Sequence, residues 1–205
     1  MTSCVDPFVS LIAACRELGL TSADDATVRR PHHGVDEFRF SNFVDDARRL
    51  TALAGDIAHA IGMSSVLDDQ SPADWSGRSG RAAGGVLRSV GAGLADLSRN
   101  LNDGAAATAQ AAIVLDGILG RHRGVLDLVS TPRLSGFDLD ALPAALNSGT
   151  LSPHALRGEI QARLEYAETA GVTASDSIRE VLTEVATAWA AQVGSDGELA
   201  LADMQ

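Results

Sequence analysis

The sequence predicts an all-α protein: a long antiparallel helical hairpin elaborated into a four- or five-helix bundle. Two long stretches step their apolar residues by three and four, the helical period. Ala, Leu and Gly dominate while aromatics are only 4% of the chain, and strands favour β-branched and aromatic residues. A short segment rich in small residues, with Asp74-Trp75-Ser76-Gly77 at its end, joins the two stretches. The chain has 205 residues, which suits one domain with appendages. Its expected organisation is an N-terminal helix and linker (1–34), the hairpin (35–130), and a C-terminal helical pair with an acidic tail (131–205).

Asp6 to Leu18 reads as a short amphipathic helix with Phe8, Leu11, Ile12, Cys15 and Leu18 on one face, stopped by Gly19. Residues 20–34 read as a linker, because Pro31 and Gly34 break regular structure. The first long helix is expected from Asp36 to about Met63. Its seam is Phe43, Ala47, Leu50, Ala54, Ile57 and Ile61, a heptad pattern that suits nearly antiparallel packing. The opposite face carries Asp45, Arg48, Arg49 and Asp56.

The second long helix is expected from Gly77 or Arg81 toward Ser130, closed by Thr131-Pro132. Leu87, Val90, Leu94, Leu97, Leu101, Gly104, Thr108, Ala111, Leu115 and Ile118 continue the spacing. Small residues around Gly104 mark the closest helix crossing. At about 1.5 Å per residue this helix overhangs the first by about 20–30 Å, and something else should cover that end. Residues 133–151 read as a loop with a short helix from Asp138 to Leu146. Ser152-Pro153 then opens a helix ending at Gly171, with Leu156, Ile160, Leu164 and Ala167 inward. A last helix carries Ile178, Val181, Leu182, Val185, Ala188 and Trp189 on one stripe before the acidic end. The two C-terminal helices are expected to fold back on the hairpin.

The formal charge is −11, and all sixteen basic residues are Arg. Such a surface repels phosphate backbones, so nucleic acid is not an expected partner. No apolar stretch approaches a membrane span. The first residues lack a basic cluster and their apolar run is short, so no cleavable signal peptide is expected. Cys15 falls on an apolar helix face and reads as a buried thiol. A Cys4–Cys15 disulfide stays open.

Trp75-Ser76-Gly77-Arg78-Ser79-Gly80-Arg81-Ala82-Ala83 places small residues where a hairpin must turn. The Trp can cover the hairpin end, and Gly77 permits backbone geometry and close approach that a side chain would block. Over roughly residues 36–125 the chain resembles the Trp-x-Gly family of helical-hairpin proteins handled by type VII (ESX-type) secretion systems, with Trp75 and Gly77 matching the motif. Such hairpins also occur as modules of larger actinobacterial proteins. The resemblance implies a hairpin that pairs with a second hairpin into a four-helix bundle, and export without a cleaved signal peptide. The Tyr-x-x-x-(Asp or Glu) signature of many exported members is absent: Tyr166 is followed four residues later by Ala170.

No catalytic constellation emerges. His32-His33 on a Pro-Gly loop read as exposed residues rather than metal ligands. His59, His122 and His154 are isolated in sequence and lack metal-ligand spacing. Ser76 follows no strand and is not a nucleophile elbow. Without Lys, the glycines from Gly77 to Gly85 make no phosphate loop.

The expected function is non-enzymatic: a type VII secretion-associated protein, substrate or partner, without metal or cofactor. It would act through the packing seam of Phe43, Leu50, Ile57, Ile61, Leu87, Leu94, Leu97 and Leu101, with Trp75 and Gly77 at the turn. Its expected partner is another Trp-x-Gly-like helical protein or a secretion component, in a monomer or a helical homo- or heterodimer. It would be cytoplasmic before export and extracellular or in the cell envelope afterwards. Two other readings stand beside this one: a cytosolic helical adaptor or regulator, and a helical accessory domain of an enzyme encoded elsewhere.

Overall fold

The computed structural model describes residues 3–69 and 77–193. The elements run α1 (Asp6–Glu17), α2 (Asp25–Arg29), a 3-10 turn (Arg30–His32), α3 (His33–Glu37), α4 (Phe40–Asp69) and α5 (Arg78–Val129). After α5 come β1 (Arg133–Leu134), β2 (Phe137–Asp138), a second 3-10 turn (Leu139–Ala141), α6 (Leu142–Asn147) and α7 (Pro153–Val193). The protein is all-α; β1 and β2 only close a tight antiparallel turn over Ser135 and Gly136, both at positive φ.

The chain divides into two compact units. The first joins Met1–Arg39 to Val114–Val181, and the second joins Phe40–Ile113 to Leu182–Gln205. Each draws on stretches far apart in sequence rather than on one continuous segment.

The first unit is organised around α1. Phe8, Leu11, Ile12 and Cys15 are buried. They join Leu126 and Val129 of α5, Leu134, Leu142, and Leu156, Ile160 and Ala167 of α7 in one core cluster. Full burial of such side chains is worth about 1.5–3 kcal/mol each, so the N-terminal helix is a main wall of this core. The later part of α5 is thus covered by α1 and by the first part of α7. Gly19 ends α1 as the sequence predicts, at φ +69. Its N–H donates to the Arg16 carbonyl and that of Leu20 to the Cys15 carbonyl, both at 3.0 Å. These two bonds satisfy carbonyls that the helix end would otherwise leave unpaired.

Arg163 finishes α5 from outside. Its guanidinium donates to the carbonyls of Val129 (3.0 Å), Thr131 (2.8 Å) and Arg133, and pairs with Glu159 at 2.8 Å. A cation there meets the negative end of the helix dipole and the orphan carbonyls together. Glu159 in turn accepts from the backbone N–H and the hydroxyl of Ser135, fixing the tight turn.

Several boundaries differ from the sequence reading. Residues 20–34 are not a plain linker. Asp24 caps α2 by accepting from the Thr27 N–H at 2.8 Å, and two further short turns follow. The first long helix begins at Phe40, after an extended residue, Phe38. Gly171 ends nothing: α7 runs through it without a break. A Cβ at residue 171 would lie 2.6 Å from His32 Nδ1 and 2.7 Å from the Pro31 carbonyl oxygen. The glycine therefore serves close approach between α7 and the Pro31-His32 turn. That packing offsets the roughly 1 kcal/mol that Gly costs in a helix relative to Ala.

In the second unit, the buried hydrophobic side chains among those described are alanines: Ala47 and Ala54 on α4, Ala105 and Ala111 on α5. Ser98 and Thr108 are buried with them. Trp189, near the end of α7, reaches this zone. Its indole N–H donates to the Thr108 hydroxyl at 3.1 Å, and that hydroxyl donates to the Gly104 carbonyl at 2.8 Å.

Candidate functional site

The chemically distinctive cluster lies in the first unit, where Cys4, His32 and His122 meet. On α5 the buried positions of this unit are Leu115, Ile118, His122, Leu126 and Val129. His122 therefore occupies a core position of the three-four repeat. The Pro31-His32 turn, pressed against Gly171, delivers the second imidazole. His32 is 0% exposed and His122 3%. Their ring nitrogens, His32 Nδ1 and His122 Nε2, are 2.9 Å apart, a hydrogen bond. On the other side of its ring, His122 Nδ1 faces Cys4 Sγ at 3.9 Å. His32 Nε2 is buried and has no partner among the described residues.

The electrostatics keep this cluster neutral. Burial lowers the His32 pKa to about 4, helped by repulsion from His122 and opposed by Asp36. Burial also lowers His122, with Asp36 opposing and Arg123 assisting. The Cys4 thiol is raised by burial and then by Asp36, with Arg123 pulling weakly the other way. A raised thiol beside depressed imidazoles is the reverse of an activated Cys–His pair, which needs a thiolate and an imidazolium. The thiol and the second imidazole also approach His122 from opposite edges of its ring. They do not converge on a common point, and among the described residues no three His, Cys, Asp or Glu side chains could hold a metal ion together. What the arrangement can do is store a hydrogen bond whose strength depends on protonation.

The sequence reading missed this pair. His33 is exposed as expected, but its neighbour His32 is fully buried, which corrects the reading of both as exposed loop residues. His122 appeared isolated because its partner is 90 residues away. One signal was present: continuing the spacing from Leu115 and Ile118 lands on His122. Cys15 is buried in the core cluster, and both Cys4 and Cys15 are free thiols.

The residues expected to form the packing seam lie in the second unit. Phe43, Leu50, Ile57, Ile61 and Leu101 are half-buried. Leu94 and Leu97 are exposed, Leu97 to 50%. Val86 and Val90, two turns and one turn before Leu94, are exposed to 63% and 53%. Leu87 lies in α5, and its side chain falls outside those described. Gly77 stands immediately before α5 at φ +145, a backbone that strains any residue with a side chain. Among the described residues nothing lies within 4 Å of where its Cβ would be. Trp75 lies outside the described residues. No helix among the described residues is long and apolar enough to cross a membrane.

No family model, no curated protein and no solved structure matches this chain.

Proposed function

We propose that this protein is a non-enzymatic, type VII secretion-associated helical protein, a substrate or a partner, working through the apolar face of its long helices. The observation that carries the reading is the row Val86, Val90, Leu94 and Leu97 on α5. Its spacing of four, four and three puts all of them on one helix face, and each is exposed. Leu53 and Met63 add exposed apolar surface on α4. Contiguous apolar surface of this kind marks an interface more often than a free surface. A second helical hairpin, laid along α4 and α5, would complete a four-helix bundle, as the Trp-x-Gly resemblance implies. The same face would serve a cytosolic adaptor, which differs in never leaving the cell.

The test uses Leu94→Glu with Leu97→Glu, both at exposed positions, and Trp75→Ala. The paired Glu variant should keep wild-type helicity and melting while losing association with its helical partner and export in a host carrying the secretion system. Retention of export by both the Glu pair and Trp75→Ala would overturn the proposal. Loss of association from a protein that is never exported would favour the adaptor.

A further inference from the structure

We propose that the His32–His122 contact is an acid-sensitive latch that holds residues 24–37 onto α5 and α7 of the first unit at neutral pH and releases them when the pair takes up protons. Two buried imidazoles sharing one hydrogen bond across 2.9 Å have three protonation states with different consequences. With both neutral, one nitrogen donates, the other accepts, and the pair is satisfied. One added proton leaves the bond in place but buries a cation. A second proton makes both facing nitrogens donors, so the bond is replaced by repulsion between two positive rings.

The surroundings do little to compensate a positive charge. Among the described residues, Asp36 on α3 is the one carboxylate that favours the charged forms of both imidazoles, and it already accepts two contacts from the Ser3 hydroxyl at 2.8 and 2.9 Å. From α5, Arg123 opposes a charge on His122, and Asp127 is felt at Cys4. From the N-terminal side the Cys4 thiol offers only a weak sulfur contact at 3.9 Å. From α7, Glu168 lines the same polar cleft as His32, and the Ser175 hydroxyl reaches the Pro31 carbonyl at 3.5 Å. His32 Nε2 gains no partner from any of them.

What the latch holds is a set of short turns. α2 and α3 have 5 residues each, too short to persist without tertiary contacts. Their anchors are His32, the half-buried Pro31 on Gly171, and the buried Val28 and Val35. The polar ties of α2 to α1 are the exposed pairs Arg29–Asp6 at 2.7 Å and Arg16–Asp25 at 3.6 Å, each worth little alone. Removing the His contact leaves the segment on two Val side chains, a proline, two exposed ion pairs and the Ser3–Asp36 and Ser175–Pro31 contacts.

The experiment is amide hydrogen exchange on the full chain between about pH 7 and about pH 4, corrected for the intrinsic pH dependence of exchange. Alongside it, the His32 and His122 ring protons are followed by NMR, with exposed His33 and His154 as internal references. Amides of residues 24–37 in the wild type should lose protection by about a hundredfold, with a midpoint that follows the His32 and His122 titration, while the Asp6–Glu17 helix keeps its protection. The double variant His32→Gln, His122→Gln, which can hydrogen-bond without titrating, should show no pH-dependent loss. Protection of residues 24–37 that is constant across this range, or a loss of equal size in the double variant, would overturn the latch. Where the double variant does not fold, the wild-type data decide: coincident midpoints support the latch and separated midpoints overturn it.

Discussion

The indole of Trp189 occupies the space that a side chain at Gly104 would need. A Cβ on residue 104 would lie 2.5 Å from the nearest ring carbon, well inside van der Waals contact. The Gly104 carbonyl is meanwhile tied through Thr108 to the same indole. Gly104→Ala should therefore destabilise the protein by about 1–3 kcal/mol through overpacking, even though Ala is the better helix former by about 1 kcal/mol. In a Trp189→Ala background the obstacle is gone, and the same substitution should become neutral or stabilising. A double-mutant cycle in chemical denaturation reads this reversal of sign. Additive effects would show that the two residues do not touch in solution.

Gly171 offers a parallel case in the first unit, with a rigid neighbour. The atoms nearest a Cβ at 171 are His32 Nδ1 and the Pro31 carbonyl, and a backbone carbonyl cannot swing aside as a long side chain can. Gly171→Ala should cost about 1–3 kcal/mol and should raise hydrogen exchange in residues 24–37 selectively. Stabilisation by the substitution would mean that the Pro31-His32 turn is not seated on α7.

The His pair also predicts how stability depends on pH. His32 has a folded pKa of about 4 against an ordinary 6.5. Between those values the unfolded chain binds more protons than the folded one, so stability falls as pH falls. The contribution is fully present above about pH 6.5 and exhausted below about pH 4, and its total is about 3 kcal/mol. His122 acts in the same direction. Denaturation midpoints across this window, for wild type and His32→Gln, isolate the contribution as the part of the slope that the variant loses. An identical slope in both would refute it.

Arg163→Met should destabilise the first unit by about 2–3 kcal/mol, because its charge-assisted hydrogen bonds to the part-buried Val129 carbonyl at the α5 terminus and to the Thr131 and Arg133 carbonyls just beyond it are lost. The Arg163 side chain is only 18% exposed, so its pairing with Glu159 is less screened than a surface ion pair. Arg163→Lys should recover only part of the loss, since an ammonium cannot serve three carbonyls and a carboxylate with one planar fork. Full recovery in thermal melting would show that charge alone matters there.

The helical class, the two long helices and the stops at Gly19 and Thr131-Pro132 were legible in the sequence because they depend on local causes. These are a three-four apolar period, a glycine free to take positive φ, and a proline that cannot continue a helix. The role of Gly171 was not legible. Locally a glycine reads as a helix end, and only the arrival of Pro31 and His32 from 140 residues away gives it another purpose. The burial of His32 was hidden for the same reason, since loop composition predicts exposure and only α5 and α7 close over the ring. The sequence also marked Leu94 and Leu97 as seam residues from their period, which identifies a face without saying what covers it. Tertiary structure decided that question differently along α5. Leu126 and Val129 are buried by α1 and α7, whereas Val86, Val90, Leu94 and Leu97 remain open to solvent. Periodicity is a property of one helix, and burial is a property of what that helix meets.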